Sequence, residues 1–215
     1  MLAITTPASD LQLLTIEQLR VAAGLEADDD TQDAVIEPMG LRIAAEIANL
    51  CNIAIGAGHV PTLLKERVTE TFRSVGGRAQ LILSRRLDVA IVSVTVDGTL
   101  LGAAEYEVEP ESGMLYLLSE DVRTRWSFAK AVVVYDAGFE TVPNDLEGAA
   151  SDLMRIRWSE KDRDPAVKGE SVDVPGVLSE RTDYWVGTVP GSTGSGGIPD
   201  DIVSRLGRYR MPTVG

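Results

Sequence analysis

The chain has 215 residues, 44% hydrophobic but only 5% aromatic, so it holds enough apolar mass for one or two small cores that Ala, Val, Leu and Ile must fill. Its 33 acidic against 20 basic residues leave a net charge of -13, which argues against a sequence-independent grip on nucleic acid through phosphate neutralisation. A single cysteine, Cys51, excludes an internal disulfide, and no apolar run approaches the roughly 20 residues that a membrane-spanning helix needs.

The N-terminus lacks the basic start and apolar stretch of a secretory signal, so a cytoplasmic chain is expected. Thr15 with Gln18 forms a capping-box pattern at the head of a short helix, Thr15 to Ala23, which Gly24 is placed to end. Asp28, Asp29 and Asp30 precede a longer helix, where acidic groups favour the positive end of the dipole. Ile36, Gly40, Ile43, Ile47, Leu50 and Ala54 step along it by four and three, the spacing of a packing seam. Pro38 inside this run predicts that the regular helix begins near Glu37 or kinks there, and that it ends before Gly56 or Gly58. Cys51, among apolar neighbours, reads as a buried, inert thiol.

From Val60 to Asp136 the period changes to two. Val92, Val94 and Val96 alternate with Ser93 and Thr95, and Asp97-Gly98 is a hairpin turn before Thr99-Leu100-Leu101. Tyr106 and Val108 alternate with Glu105, Glu107 and Glu109, Pro110 to Gly113 turns the chain, and Met114 to Leu118 returns. Leu81 to Leu83 and Val132 to Tyr135 are further strands, whereas Lys65 to Arg73 fits helix spacing and strand alternation equally. Counting that segment as a strand, about six strands result, enough to bury a sheet face. Val142-Pro143-Asn144-Asp145 then starts a helix whose Leu146, Ala149, Ala150, Leu153, Met154 and Trp158 lie on one apolar stripe, Trp158 as core. Residues 164 to 188 are polar with several Pro and Gly, which predicts an extended arm with a short strand near Asp183 to Val186. The five glycines of Gly187 to Gly197 read as a flexible linker, and beyond it Ile198 to Leu206 form one or two helical turns followed by Arg205, Arg208 and Arg210.

Little catalytic chemistry is written into the chain. No phosphate loop, paired CxxC or GxSxG elbow occurs, and the Gly191 to Gly197 segment lacks the lysine of a phosphate cradle. His59, the only histidine, precludes a histidine metal cluster and reads as a loop residue. Asp28 to Asp33 lacks the spacing of a calcium loop, and Trp126, Trp158 and Trp185 are too scattered to make a sugar-stacking platform. Glu105, Glu107 and Glu109 share one exposed strand face by alternation. Arg67, Arg73, Arg78, Arg85, Arg86, Arg123 and Arg125 fall in or beside the β block, as solvated strand edges or as a face that meets acidic groups of another subunit.

Val134-Tyr135-Asp136-Ala137-Gly138-Phe139, then Val142-Pro143-Asn144-Asp145-Leu146 and Trp158, form an ordered series of short motifs. Thr69-Glu70-Thr71-Phe72-Arg73 adds to it, as does the tail from Asp164-Pro165 through Val174-Pro175-Gly176-Val177 to Tyr184-Trp185-Val186-Gly187. Together the series resembles the head-tail adaptor, or connector, proteins of long-tailed phages and gene transfer particles, over most of the chain. By that likeness Lys65 to Arg73 is a strand, and the fold is α+β: a small helical bundle, an inserted β-rich block and an extended C-terminal arm. The implied divisions are residues 1–58, 59–138, 139–163 and 164–215.

The resemblance implies a structural virion protein without catalytic residue, metal or cofactor. It would be assembled in the host cytoplasm into a homo-oligomeric ring, about twelve-fold, at the head-tail interface. Its partners would be the portal protein on one side and a tail-side connector or tail terminator on the other, with DNA passing through an axial channel without specific binding. Ile198, Ile202, Leu206, Arg208, Tyr209 and Arg210 would anchor the arm to the portal, Glu105, Glu107 and Glu109 would face the channel, and Ile43, Ile47, Leu50, Leu153 and Trp158 would form the helical core. Readings of other classes are a carbohydrate-binding or tail-fibre-like β-domain and a small hydrolase with paired carboxylates.

Overall fold

A computed structural model describes residues 1–161, 169–174, 178–183 and 197–211. The chain is α+β. Helix α1 (Ile16–Ala22) starts as its sequence requires: the Thr15 hydroxyl accepts from the Gln18 amide at 3.3 Å, and the Gln18 side chain accepts from the Thr15 amide at 2.8 Å. The loop that follows is fixed by Arg20, whose guanidinium donates to both carboxylate oxygens of Asp33 (2.9 and 2.6 Å) and to the Ala27 carbonyl (2.7 Å).

Asp33 opens α2 (Asp33–Leu50), which runs through Pro38 instead of beginning near Glu37. Pro38 falls in the second turn, so the missing N–H removes one bond near the helix start, where Arg20 already holds Asp33. The helix ends before Gly56 as expected, and Ala54 lies beyond it. Gly40 lets α1 press on α2: a β-carbon there would meet the Leu19 side chain at 2.8 Å.

After the β block, α3 (Asn144–Glu160) buries Leu146, Ala149, Ala150, Leu153 and Met154. Ile43, Ile47 and Leu153 are core, but Leu50 and Trp158 are only half-buried and pack on the core from its rim. For Trp158 the reason is angular, since twelve residues after Leu146 a helical position has turned about 120° from it. Helix α4 (Asp200–Leu206) and the 3-10 turn Gly207–Tyr209 complete this layer.

The β block is two antiparallel sheets on one core. The larger, in order β1-β2-β9-β4-β5, comprises β1 (Leu2–Thr6), β2 (Glu66–Arg78), β9 (Trp126–Ala137), β4 (Ala90–Val96) and β5 (Thr99–Leu100). The smaller is built around β7 (Met114–Ser119), which pairs with β3 (Leu81–Ile82), β6 (Tyr106–Glu109) and β8 (Val122–Thr124). Lys65 to Arg73 is thus largely strand, continuing to Arg78, and it is paired with β9 from Glu66↔Ala137 to Arg78↔Trp126. The strands outnumber the expected six because several span only two or three residues, too short for alternation to register.

Trp126 is fully buried, and its indole N–H donates to the Leu115 carbonyl at 3.1 Å, bonding β9 of one sheet to β7 of the other. Within 164–215, β10 (Gly169–Val174) and β11 (Leu178–Asp183) pair in antiparallel register from Gly169↔Asp183 to Val174↔Leu178. Of the strand expected near Asp183 to Val186 only Asp183 is described, as the last residue of β11; Tyr184 to Val186 and the linker residues 187–196 fall outside the described residues.

Candidate functional site

The two layers meet at a corner made by Ala137-Gly138-Phe139. Gly138 has φ 101° and its amide donates to the Leu87 carbonyl at 2.7 Å. Phe139 then exchanges backbone bonds with the crossing chain, its amide to Leu63 (2.8 Å) and its carbonyl from Lys65 (3.0 Å). Beneath the corner runs a buried polar chain. Arg85, 4% exposed, donates to the Glu66 carboxylate and, at 3.1 Å, to the Thr62 carbonyl. Glu70 accepts from the Tyr135 hydroxyl (2.9 Å) and from the amide and hydroxyl of Ser84 (2.9 and 2.5 Å). Burial lowers the Arg85 pKa and, as the largest cause, holds Tyr135 far above the usual phenol range. Arg85 therefore belongs to the interior and not to the solvated strand edges expected of it.

Beside this corner an open groove of about 660 Å³ separates residues 6–12 from Asp136, Phe139, Glu140 and Val142. Its wall carries the Arg67–Asp136 pair, bonded twice at 2.7 and 3.0 Å, and the Lys65–Glu140 pair at 3.1 Å.

The C-terminal segment is seated on its own helical body. Ile198, Ile202, Leu206, Tyr209 and Met211 are all buried there. The Tyr209 hydroxyl donates to Asp145 at 2.5 Å, Arg208 pairs with the same carboxylate at 3.0 Å, and Arg205 pairs with Asp152 at 2.6 Å. Met211 is tied at both ends of its peptide, its amide to the Cys51 carbonyl (2.8 Å) and its carbonyl from the Asn52 amide group (3.1 Å). Hence the apolar stripe expected to anchor a partner is already occupied by this chain: Ile198, Ile202, Leu206 and Tyr209 are core, while Arg208 and Arg210 are exposed, as are Asp200, Asp201 and Arg205. The Tyr209 hydrogen bond, with Arg208 assisting, holds the Asp145 carboxyl below its ordinary range, while burial and that same bond push Tyr209 up to about 12. Cys51, as expected, is buried, which raises its pKa to about 11.

The acidic strand is only partly as alternation predicts. Glu107 and Glu109 share a side of β6, and Arg123 of β8 bonds both, at 2.8 and 3.2 Å, while lying 3.7 Å from the Tyr116 ring centre. Glu105 ends a 3-10 turn (Ala103–Glu105) before the strand, and its carboxylate accepts from the Gly102 amide at 2.6 Å. It does not join the other two, because the chain has not yet entered the sheet. His59 sits in a loop, and no group of three or more His, Cys, Asp or Glu able to hold a metal ion occurs among the described residues.

Two solved structures share this fold. The first, from the "neck of empty GTA particle computed with C6 symmetry", is 16% identical with a TM-score of 0.54, and the alignment covers 100% of this chain and 97% of that one. The second, from the "neck of native GTA particle computed with C12 symmetry", is 14% identical with a TM-score of 0.51 over the same shares. No protein-family model and no curated protein matches the chain. At these identities the likeness is one of fold. It extends over the helical layer, the β block and the C-terminal segment alike.

Proposed function

We propose that this chain is a structural protein of the neck of a phage-like particle, where it forms the head-tail adaptor ring. The observation that carries the reading is the end-to-end likeness to two chains of gene transfer agent (GTA) necks, one with C6 and one with C12 symmetry. A closed ring of about twelve copies needs two different complementary faces on each subunit and leaves an axial opening. In this reading the portal sits on one side, a tail-side connector or terminator on the other, and DNA passes through the opening. The protein is then a virion component put together in the host cytoplasm, and it performs no chemistry.

Portal contact falls to the exposed rim of the C-terminal segment, Arg208 and Arg210, and not to its buried apolar stripe. Glu107 and Glu109, held side by side by Arg123, are the channel-facing pair, with Glu105 set apart from them. Electron microscopy of the purified chain, alone and mixed with portal rings, tests the reading. Closed rings, free or stacked on portal, are expected. A chain that stays monomeric by sedimentation at high concentration and never decorates portal would end it.

A further inference from the structure

The β2–β9 ribbon carries a cluster of cations at the end remote from the helical layer. Arg73 of β2 stands directly opposite Lys130 of β9, and Arg78 stands opposite Trp126, next to Arg125. All four cations are exposed, and none of them forms an ion pair with a carboxylate among the described residues. Arg125 donates only to the Gly77 carbonyl, at 2.7 Å. Asp97, the carboxylate placed nearest by its bonds, is spent on the backbone amides of Ala129 and Lys130, at 3.1 and 2.7 Å. Glu120 and Asp121 in the turn before β8 pair with none of the four.

Elsewhere most arginines are paired, although Arg42 and Arg86 bond only backbone carbonyls and Arg210 forms no ion pair among the described residues. Arg20, Arg67, Arg85, Arg123, Arg157, Arg205 and Arg208 each meet an acidic partner. Like charges facing each other across a sheet are destabilising, so the Arg73–Lys130 pair works against the strand pairing that holds it. In a chain with thirteen more acidic than basic side chains, four exposed cations along one end of a single ribbon, none paired with a carboxylate among the described residues, call for an anion from outside.

Net charge does not cancel this cluster. The Glu66 end of β2 adjoins the helical layer, and Arg73 to Arg78 lie seven to twelve residues further along, roughly 23 to 40 Å at about 3.3 Å per residue. That is several times the Debye length of about 8 Å at physiological ionic strength, so the acidic helical layer is screened from the tip. Among the described side chains between the cations, Ser74, Gly76, Gly77, Ser127 and Ala129 are small and exposed while Trp126 and Phe128 are buried, and a β-carbon at Gly76 or Gly77 would meet nothing within 4 Å. Such a surface allows close approach and hydrogen bonding but has little apolar area to bury. It suits a sugar-phosphate backbone better than a protein face, whose centre would be aromatic and apolar.

We infer that the tip formed by Arg73, Arg78, Arg125 and Lys130 binds the phosphate backbone of duplex DNA without reading its sequence. This goes beyond the ring reading, since the test uses the free chain and needs no portal. Fluorescence anisotropy with a labelled duplex of about 30 base pairs, of two unrelated sequences, is followed between about 50 and 200 mM NaCl. Neutralising four phosphates predicts a loss of about a hundredfold in affinity across that range, equal for both sequences. The quadruple variant Arg73→Ala/Arg78→Ala/Arg125→Ala/Lys130→Ala should bind at least tenfold more weakly at low salt, with an unchanged circular dichroism spectrum. The charge-preserving variant Arg73→Lys/Arg78→Lys/Arg125→Lys should keep most of the binding. No binding by the unaltered chain at low salt, or equal binding by the quadruple variant, overturns the inference. So does a quadruple variant that loses ring assembly while the parent never binds DNA, because the tip would then meet an acidic protein face.

Discussion

Gly138 passes under the carbonyl oxygen of Leu64 so closely that a β-carbon built on it would stand 2.3 Å from that oxygen. The glycine also has a φ of 101°, which L side chains rarely adopt. Both constraints arise because the strand must end and reverse while the chain at Leu63 and Leu64 crosses it.

Gly138→Ala should therefore cost about 2 kcal/mol or more, a fall of roughly 4 to 8 °C in Tm for a chain of this size. Gly98→Ala is the control. Gly98 also has positive φ but nothing within 4 Å of its β-carbon position, so only the conformational cost of about 1 kcal/mol applies. Thermal melts of the two variants that superimpose would show that the close approach is not felt.

The buried pair under the corner makes a prediction of opposite kinds for one and two changes. Arg85→Ala or Glu66→Ala alone strands a charge in the interior and should cost about 3 to 5 kcal/mol. Arg85→Met with Glu66→Leu removes both charges and should recover most of that loss, although the Thr62 carbonyl and the Ala8 amide lose partners. Urea denaturation of the single and double variants measures the coupling.

Tryptophan substitutions separate the two cores. Trp126→Ala empties a fully buried site and breaks the bond to Leu115, which should cost about 3 to 5 kcal/mol. Trp158→Ala removes a half-buried ring over which Lys161 lies at 4.7 Å, and about 1 to 2 kcal/mol is expected from its partial burial. Equal unfolding midpoints for the two variants would contradict these placements.

The C-terminal segment should respond to pH at both ends of the scale. Asp145 has a folded pKa below its ordinary 3.8, so its contribution is present above that value and is lost as the pH falls through the folded one. Tyr209 has a folded pKa raised from 10.0 to about 12, so its contribution is intact below 10 and is lost as the pH rises toward 12. Tyr209→Phe should accordingly be less stable than the parent near neutrality, with the difference shrinking as the pH falls through the lowered folded pKa of Asp145 and as it rises toward about 12. Deleting residues 197–215 is a harsher change. It uncovers the side chains under Ile202, Leu206 and Tyr209, and loss of near-ultraviolet circular dichroism or of solubility is expected instead of an intact body.

The helices were legible because their signals are local. Thr15 and Gln18 are three residues apart, and the stripe from Leu146 to Met154 repeats within a few turns, so start, face and length follow from neighbours in the chain. What escaped depends on distant partners. Nothing near Arg85 says that Glu66, nineteen residues earlier, will meet it in the interior. β1 is five residues long with only Leu2 and Ile4 partly covered, so its alternation is too brief to stand out. The stripe Ile202, Leu206 and Tyr209 was visible, but an apolar stripe states only that something covers it. Whether the cover is a foreign protein or the chain's own α3 depends on where the intervening residues lead.

At Gly197 the chain is back on α3. Gly197 lies beside Arg157, in the last turns of α3, with its β-carbon position 3.7 Å from that guanidinium. The described residues that flank this stretch, Lys161 and Gly197, therefore both belong to the C-terminal end of α3. Closing a loop costs only about 0.6 kcal/mol more for each doubling of its length, so a change of length between these two anchors carries a small entropic cost. A fluorescent or affinity-tagged domain inserted there would keep its own fold and leave this one alone, giving a handle for counting copies in a finished particle.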